Sequence, residues 1–277
     1  MRSFPPAPPS DSDRNAPTSN RQIVGVLLAF IGGFFVLLAA FGWLANNLVW
    51  FIPDSVEVQL GRAIVPAFAA DAEPDSPITA ELNRLLDRLE ANLPEDQRDR
   101  DFQVLYFDED TVNAAAIPGD RVLMYRGLIA EAGSENELMM VLGHELGHFT
   151  NRDHLRGIAR QLAFQTAIAI VVGDASGITA LGASVTQAVA GAQFSQGQEL
   201  QADKVGLDLL NAHYGHVGGA TAFFERLQDK RPGNVDFLAS HPVPKRRVRA
   251  LEALIRDRGY PRSDLKSLDE PLAALQE

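Results

Sequence analysis

The stretch VLGHELGHFTNRDH, residues 141–154, carries three histidines and a glutamate in a run that begins apolar and ends polar. A helical backbone stacks residues four apart on one face, so His144 and His148 can direct two imidazoles at one ion. Glu145, one position on from His144, reaches the open coordination position of such an ion without ligating it, which is how a helical His-Glu-x-x-His pattern carries a general base. Val141, Leu142, Leu146 and Phe149 surround these groups. Imidazoles without partners would be costly among them, so a bound cation gives the pattern its physical reason. The helix itself is expected over residues 134–150, with Glu135 and Glu137 in its first turn.

Two residues offer the third ligand. His154 lies ten positions after His144, the spacing of the third histidine in the long metzincin motif, with Asn151 at that motif's glycine and able to take the left-handed conformation. A metzincin also needs a methionine turn downstream, and the methionines are at positions 1, 124, 139 and 140, so that reading falls. The other candidate lies in FSQGQELQADKVGLDLL, residues 194–210, where Glu199 and Asp203 are four apart on a predicted helix. Glu199 is placed to ligate, and Asp203 to accept a hydrogen bond from a ligating imidazole, fixing its tautomer and orientation.

The chain has 277 residues, 46% of them hydrophobic, which supports one sizeable core with appendages. A formal net charge of -11 argues against a nucleic-acid partner, because neutralising phosphates takes clustered Lys and Arg. There is no cysteine, so a metal must be held by imidazole and carboxylate.

Residues 1–21, rich in Pro, Ser, Asp and Asn, read as a disordered tail. Residues 22–53 contain no Asp, Glu, Lys, Arg or His, and about 20 apolar residues suffice to cross a bilayer. Trp43, Trp50 and Phe51 near the far end suit a membrane interface. A cleaved signal peptide, with AFA at 67–69 as its site, is disfavoured by the length of the apolar run. The expectation is a single-pass anchor in the lipid bilayer. Arg2, Arg14 and Arg21 precede the span and the next positive residue is Arg62, which predicts a cytoplasmic N-terminus and a domain, residues 54–277, on the periplasmic or otherwise extracytoplasmic face of an inner membrane.

The domain reads as α+β and mostly helical with a small β-sheet. SPITAELNRLLDRLEANL has leucines at 82, 85, 86 and 89 with a helical period. DFQVLYF (101–107) and DRVLMYRG (120–127) read as strands joined through NAAAIPGD, whose Pro118-Gly119 signals a turn. Further helices are expected at about 154–172, 180–212, 217–229 and 244–258. Between Arg160 and Glu199 the sole charged residue is Asp174, and the segment 160–194 is expected to form a packed helical hairpin covering the site or resting on the membrane, in preference to a re-entrant membrane segment.

Four blocks of this sequence resemble the HtpX-like zinc metallopeptidases, a gluzincin-type family to which CAAX prenyl proteases and mitochondrial and periplasmic quality-control proteases also belong. They are NAAAIPGDRVLMYRGLI (113–129), GHELGHFTNRDH (143–154), FSQGQELQAD (194–203) and SHPVPKRRVRAL (240–251), spread over about residues 100–255. Gln196 departs from the pattern, standing where the family usually has arginine. The resemblance implies a gluzincin-type zinc metallopeptidase fold with one Zn2+ per chain, bound by His144, His148 and Glu199. It further implies a catalytic Glu145, a supporting Asp203, polypeptide substrates and a role in proteolytic quality control.

Three protein ligands leave a position for water, whose pKa falls to about 7 on zinc. Glu145 is expected to take that water's proton and pass it to the leaving amine. His241 is the candidate second donor to the oxyanion, and Arg247 the residue that positions it or the substrate; His213 and His216 read as loop residues. If Arg121, Val122, Leu123, Met124 and Tyr125 form an exposed sheet edge, an extended peptide can add to it through backbone hydrogen bonds. The rival reading is a membrane-anchored chaperone or scaffold with a structural zinc site, against which the presence of Glu145 argues.

Overall fold

A computed structural model of the chain describes residues 18–172, 193–228, 236–242 and 245–276. The N-terminal tail up to residue 17 and the 173–192 portion of the expected hairpin lie outside the described residues.

Ser19 and Gln22 form a capping box that starts helix α1 (Asn20–Leu48). The stretch Asn20–Leu44 is long and apolar enough to cross a membrane and is not buried in the rest of the chain. The helix stops short of the predicted end at Pro53: a 3-10 turn, Val49–Phe51, redirects the chain into α2 (Asp54–Ala69). Nothing in the sequence reading anticipated α2, whose interior contains Pro66. Its start is nonetheless favourable, with Pro53 as N-cap and Asp54 and Glu57 facing the positive end of the helix dipole. Next, α3 (Pro77–Glu90) is capped by Ser76 and buries Leu82, Leu85, Leu86 and Leu89 on one face, as the leucine spacing predicts.

The sheet has three strands, β1 (Gln103–Phe107), β2 (Ala114–Ile117) and β3 (Arg121–Tyr125), in the order β1-β3-β2. β1 runs parallel to β3, and β2 antiparallel to it. The sequence suggested only a connection at β2, because consecutive alanines have weak strand preference; pairing with β3 across the tight turn at Gly119 supplies what propensity does not. Gly119 has φ 91°, and a Cβ on Gly61 of α2 would lie 2.4 Å from its Cα, so α2 rests directly on this turn.

This order corrects the expectation that Arg121–Tyr125 is an exposed edge. β3 is the central strand, its backbone groups are used on both sides, and Val122, Leu123 and Met124 are buried. The sheet's edges are β1 and β2. The β1 edge is partly covered by α3, where Asn83 Oδ1 accepts a hydrogen bond from Val104 N–H at 2.8 Å.

A short helix, α4 (Arg126–Glu131), leads to α5 (Glu135–Thr150), which is buried from Glu135 to Phe149 and forms the axis of the domain. After it come α6 (Asp153–Val172), α7 (Gln196–Tyr214), α8 (Ala222–Gln228), α9 (Phe237–Ser240) and α10 (Lys245–Arg258). Among the described residues α7 and α8 begin later than the sequence suggested, the first at a capping box of Ser195 and Gln198. Helices α5 and α7 cross where glycines remove the side chains between them. A Cβ on Gly147 would lie 2.7 Å from Ala202 Cα, and one on Gly206 would lie 2.9 Å from His144 N. Glu199, Ala202, Asp203 and Gly206 share a face of α7 by helical spacing, so this backbone contact delivers both carboxylates to the His144–His148 face of α5.

Candidate metal centre

Two turns of α5 and one of α7 meet in a site closed to solvent: His144, Glu145, His148, Glu199, Asp203 and His241 are all buried. His144 Nε2 and His148 Nε2 stand 3.1 Å apart. Glu199 faces both, with Oε2 3.6 Å from His144 Nε2 and Oε1 3.5 Å from His148 Nε2. His241, the C-cap residue of α9, brings Nδ1 to 3.2 Å from His144 Nε2 and 3.1 Å from Glu199 Oε1. These four side chains offer one ligand atom each within a sphere suited to a single ion.

Each α5 imidazole is held from behind by a carboxylate. His144 Nδ1 lies 3.0 Å from Asp203 Oδ1, and His148 Nδ1 lies 3.0 Å from Asp153 Oδ2. Those contacts place the ring protons on Nδ1 and turn both Nε2 lone pairs inward. Two lone pairs 3.1 Å apart repel unless a positive charge sits between them. Burial opposes charge on His148, but hydrogen bonds to Asp153 and Glu199 outweigh it and push the ring up to about 9. Burial pulls His144 down, against the pull of Asp203 and Glu199. Glu199 itself is held well below the usual carboxylate range: burial would raise it, but His241 and Arg247 prevail. The pocket therefore draws a cation to the point where the two Nε2 atoms converge, and an imidazole-carboxylate donor set fits zinc.

Behind this layer stands Arg247 of α10. It donates to Asp203 through Nε and Nη2, each at 2.7 Å, and pairs through Nη1 with Glu199, while its guanidinium lies over the Phe224 ring at 4.7 Å. Burial would lower its charge, but the two carboxylates hold it firmly protonated. Glu145 points both carboxylate oxygens into the site, where neither has a hydrogen-bond partner. His241 Nε2, also without a partner, stands 3.7 Å from Glu145 Oε1.

A sequence profile described as peptidase family M48 matches residues 74–255. The chain belongs to peptidase family M48. Among curated relatives it is 31% identical over 152 residues to the mitochondrial metalloendopeptidase OMA1 of Arabidopsis thaliana, covering 54% of this chain and 31% of the relative. It is 29% identical over 198 residues to a putative beta-barrel assembly-enhancing protease of Vibrio cholerae, covering 65% and 40%. It is also 31% identical over 157 residues to the metalloprotease LoiP of Escherichia coli, covering 53% and 58%. The aligned part thus takes in between about a third and three-fifths of each relative's length.

Of the two candidate third ligands in this M48 chain, the structure brings Glu199 beside His144 and His148 and keeps His154 apart. His154 is buried on another side of the α5–α6 junction, where its Nε2 donates to Glu57 of α2 at 2.8 Å. The left-handed residue of that junction is Arg152, with φ 53°, while Asn151 stays near the helical region. The guanidinium of Arg152 offsets the strain by donating to the carbonyls of Val49 at 2.9 Å and Ile52 at 2.7 Å. His213 and His216 lie at the end of α7 and just beyond it, outside the metal cluster.

Asp153 is the site residue that sequence reading missed. It is fully buried and receives a hydrogen bond from Gln198 Nε2 at 2.6 Å and one from Arg156 Nη1 at 3.2 Å. The signal was present in the opening stretch: an acid at the first position of a helix, five residues after His148, is placed to reach back to it.

Proposed function

We propose that this chain is a membrane-anchored, zinc-dependent endopeptidase. The observation that carries the reading is the pair of inward-facing imidazoles opposite Glu199, beside a buried Glu145 with no partner for either oxygen. His144, His148 and Glu199 would hold zinc, which when bound would supply a water of lowered pKa and a Lewis acid for the scissile carbonyl. Glu145 accepts the water's proton and delivers it to the leaving amine, a role its free, buried carboxylate suits. His241 directs Nε2 toward the same space and donates to the oxyanion. Asp203 and Asp153 hold the two imidazoles, and Arg247 holds Asp203 and Glu199.

The substrate is an extended polypeptide that adds to β2, the edge the sheet retains. Tyr125 N–H donates to the Asn113 carbonyl, and β2 pairs Ala114 with Met124 onward, so by antiparallel alternation Ala114 and Ala116 turn their backbone groups away from β3; Asn113 Oδ1 takes the Ala114 N–H at 3.0 Å, which makes Ala116 the residue that pairs with the substrate. The approach to this strand touches the site, because Phe237 N–H donates to the Val112 carbonyl at 3.0 Å and His241 follows four residues later. Backbone pairing suits a protease that removes misfolded or membrane-associated chains in quality control. The anchor is α1, with the domain from residue 54 onward on the extracytoplasmic side.

The full chain, purified in detergent, tests this. It should hold one zinc and degrade casein, while Glu145→Gln should keep the zinc and lose the degradation. Metal-free protein, or cleavage that survives Glu145→Gln, rejects the reading. One observation favours a second reading, a scaffold with a structural zinc: His241 completes a set of four donors, as closed structural sites do. Under that reading His241→Phe sharply weakens metal retention; under the first it leaves zinc bound by three ligands and lowers kcat by roughly 100-fold.

A further inference from the structure

Most of α1 is open, but Phe34, Leu37, Leu38, Phe41 and Gly42 are half-buried. Their spacing of three and four marks one side of a helix, and the element packed against α1 is α6. The two run antiparallel, because the start of α6 meets the end of α1. Arg152 donates to the Val49 and Ile52 carbonyls, and the Arg156 guanidinium lies 5.1 Å over the Trp50 ring. Following α6 from there leads back along α1 toward its N-terminus.

After Arg160 no charged side chain occurs through Val172. From Asp153 to Val172 α6 rises about 28 Å at 1.5 Å per residue, and the distance along α1 from Leu48 back to Phe34 is about 21 Å by the same rule. α6 is thus long enough to reach the far end of the covered stripe, and it does so through its uncharged half. Phe164 and Ile168, four apart, are 45% and 40% exposed, an apolar strip left outside the helix pair. The Thr166 hydroxyl donates to the Leu162 carbonyl at 2.8 Å, which satisfies its hydrogen-bonding needs within the helix.

We propose that the uncharged part of α6 presents Phe164 and Ile168 as a membrane-embedded surface whose partner is the acyl chains of the leaflet through which α1 emerges. This rests on the reading of α1 as an anchor and extends it from a lone span to a packed pair of helices, one of which stops within the leaflet. Depth is the argument. Residues 34–42 lie inside the apolar stretch Asn20–Leu44, so a helix that covers them lies at hydrocarbon depth as well. Arg152, Arg156 and Arg160 mark the water boundary, with Trp50 and Phe51 beside them as interfacial aromatics. The first arm of the 160–194 segment therefore goes into the bilayer and not over the metal. Asp153, which holds His148, then sits at the membrane surface, and peptide cleavage takes place close to it.

The chain lacks cysteine, so single-cysteine variants can each carry one fluorescent label. Val36→Cys on α1, Phe164→Cys and Ile168→Cys on α6, and Leu265→Cys near the C-terminus all replace exposed side chains. The full chain is reconstituted into phosphatidylcholine vesicles and quenched either by phosphatidylcholine spin-labelled on its acyl chain or by aqueous iodide. Labels at 36, 164 and 168 should lose fluorescence to the spin-labelled lipid and resist iodide, and the label at 265 should do the reverse. If 164 and 168 follow 265 while 36 is quenched by lipid, the inference is overturned and the anchor stands. If 36 also follows 265, both fail. The two α6 positions report on one face independently, so perturbation by either cysteine does not decide the outcome.

Discussion

Asp153 Oδ2 lies 3.0 Å from His148 Nδ1, across the turn between α5 and α6. It mirrors the contact of Asp203 with His144 but comes from a different helix, whose start is set against the end of α1 by Arg152, just before it, and by Arg156 in its first turn. Asp153→Asn keeps the shape and removes the charge that holds the imidazole's tautomer. Zinc affinity should fall about 10- to 100-fold, as carboxylates behind metal-bound histidines generally show. Competition with a chelator measures this, and an unchanged dissociation constant would remove Asp153 from the site.

Arg247 neutralises two buried carboxylates at once. Arg247→Met fills a similar volume but leaves Glu199 and Asp203 without their cation, and breaking such a buried pairing costs about 3–5 kcal/mol. Thermal unfolding of the metal-free protein should register that loss. Arg247→Lys should recover only part of it, because an ammonium cannot match the two-pronged contact with Asp203. Equal melting temperatures for wild type and Arg247→Met would refute the assignment.

The crossing of α5 over α7 depends on missing side chains. Gly206→Ala would put a Cβ 2.9 Å from His144 N, and Gly147→Ala one 2.7 Å from Ala202 Cα. The helices can admit either methyl only by moving apart, which also draws Glu199 away from the imidazoles. Overpacking of this kind costs about 1–3 kcal/mol, so both variants should lose stability and zinc affinity together. Lost stability with zinc affinity intact would show that the carboxylate reaches its position by other means.

Two glutamates give the protein opposite pH responses. Burial, then repulsion from Asp87 and Asp101, pushes Glu90 from 4.5 up to about 7. The folded state holds this proton more tightly than the unfolded chain, so stability falls as pH rises from about 4.5 to about 7 and then levels off. Burial works against ionisation of Glu57 too, but the hydrogen bond from His154 and the charge of Arg100 outweigh it and bring Glu57 down to about 2. Its contribution is present above pH 4.5 and lost as pH falls toward 2. Glu90→Gln should therefore raise the melting temperature at pH 8 and leave it little changed at pH 4, whereas Glu57→Gln should lower it at pH 8 and much less near pH 2. Parallel melting curves across pH for wild type and Glu90→Gln would contradict this.

Local pattern made much of this chain legible. The leucines of α3, the capping serines at 76 and 134, and the i, i+4 spacings of His144 with His148 and Glu199 with Asp203 are set by helical geometry alone. What the sequence hid depends on tertiary pairing. Ala114–Ile117 becomes a strand because β3 is beside it, and β3 ceases to be an edge for the same reason. α2 was obscured by Pro66 and is held by distant partners, with Glu57 meeting His154 and Gly61 meeting Gly119. The sequence offered His241 as a donor to the oxyanion and not as a neighbour of the metal ligands; the place of its Nδ1 among the other donors follows from how α9 packs against α5 and α7.

The three ligands proposed for the metal come from two helices whose backbones touch, with Asp153 at the start of α6 bracing His148, and the connection over residues 173–192 contains no histidine or glutamate. Lengthening that connection changes only its closure entropy, by about 0.6 kcal/mol for each doubling. A protein built this way can gain, lose or rewrite the intervening segment while its chemistry stays in register. Selection is then free to reshape what the domain is attached to, or what guards its site, without having to rebuild the cluster of donors.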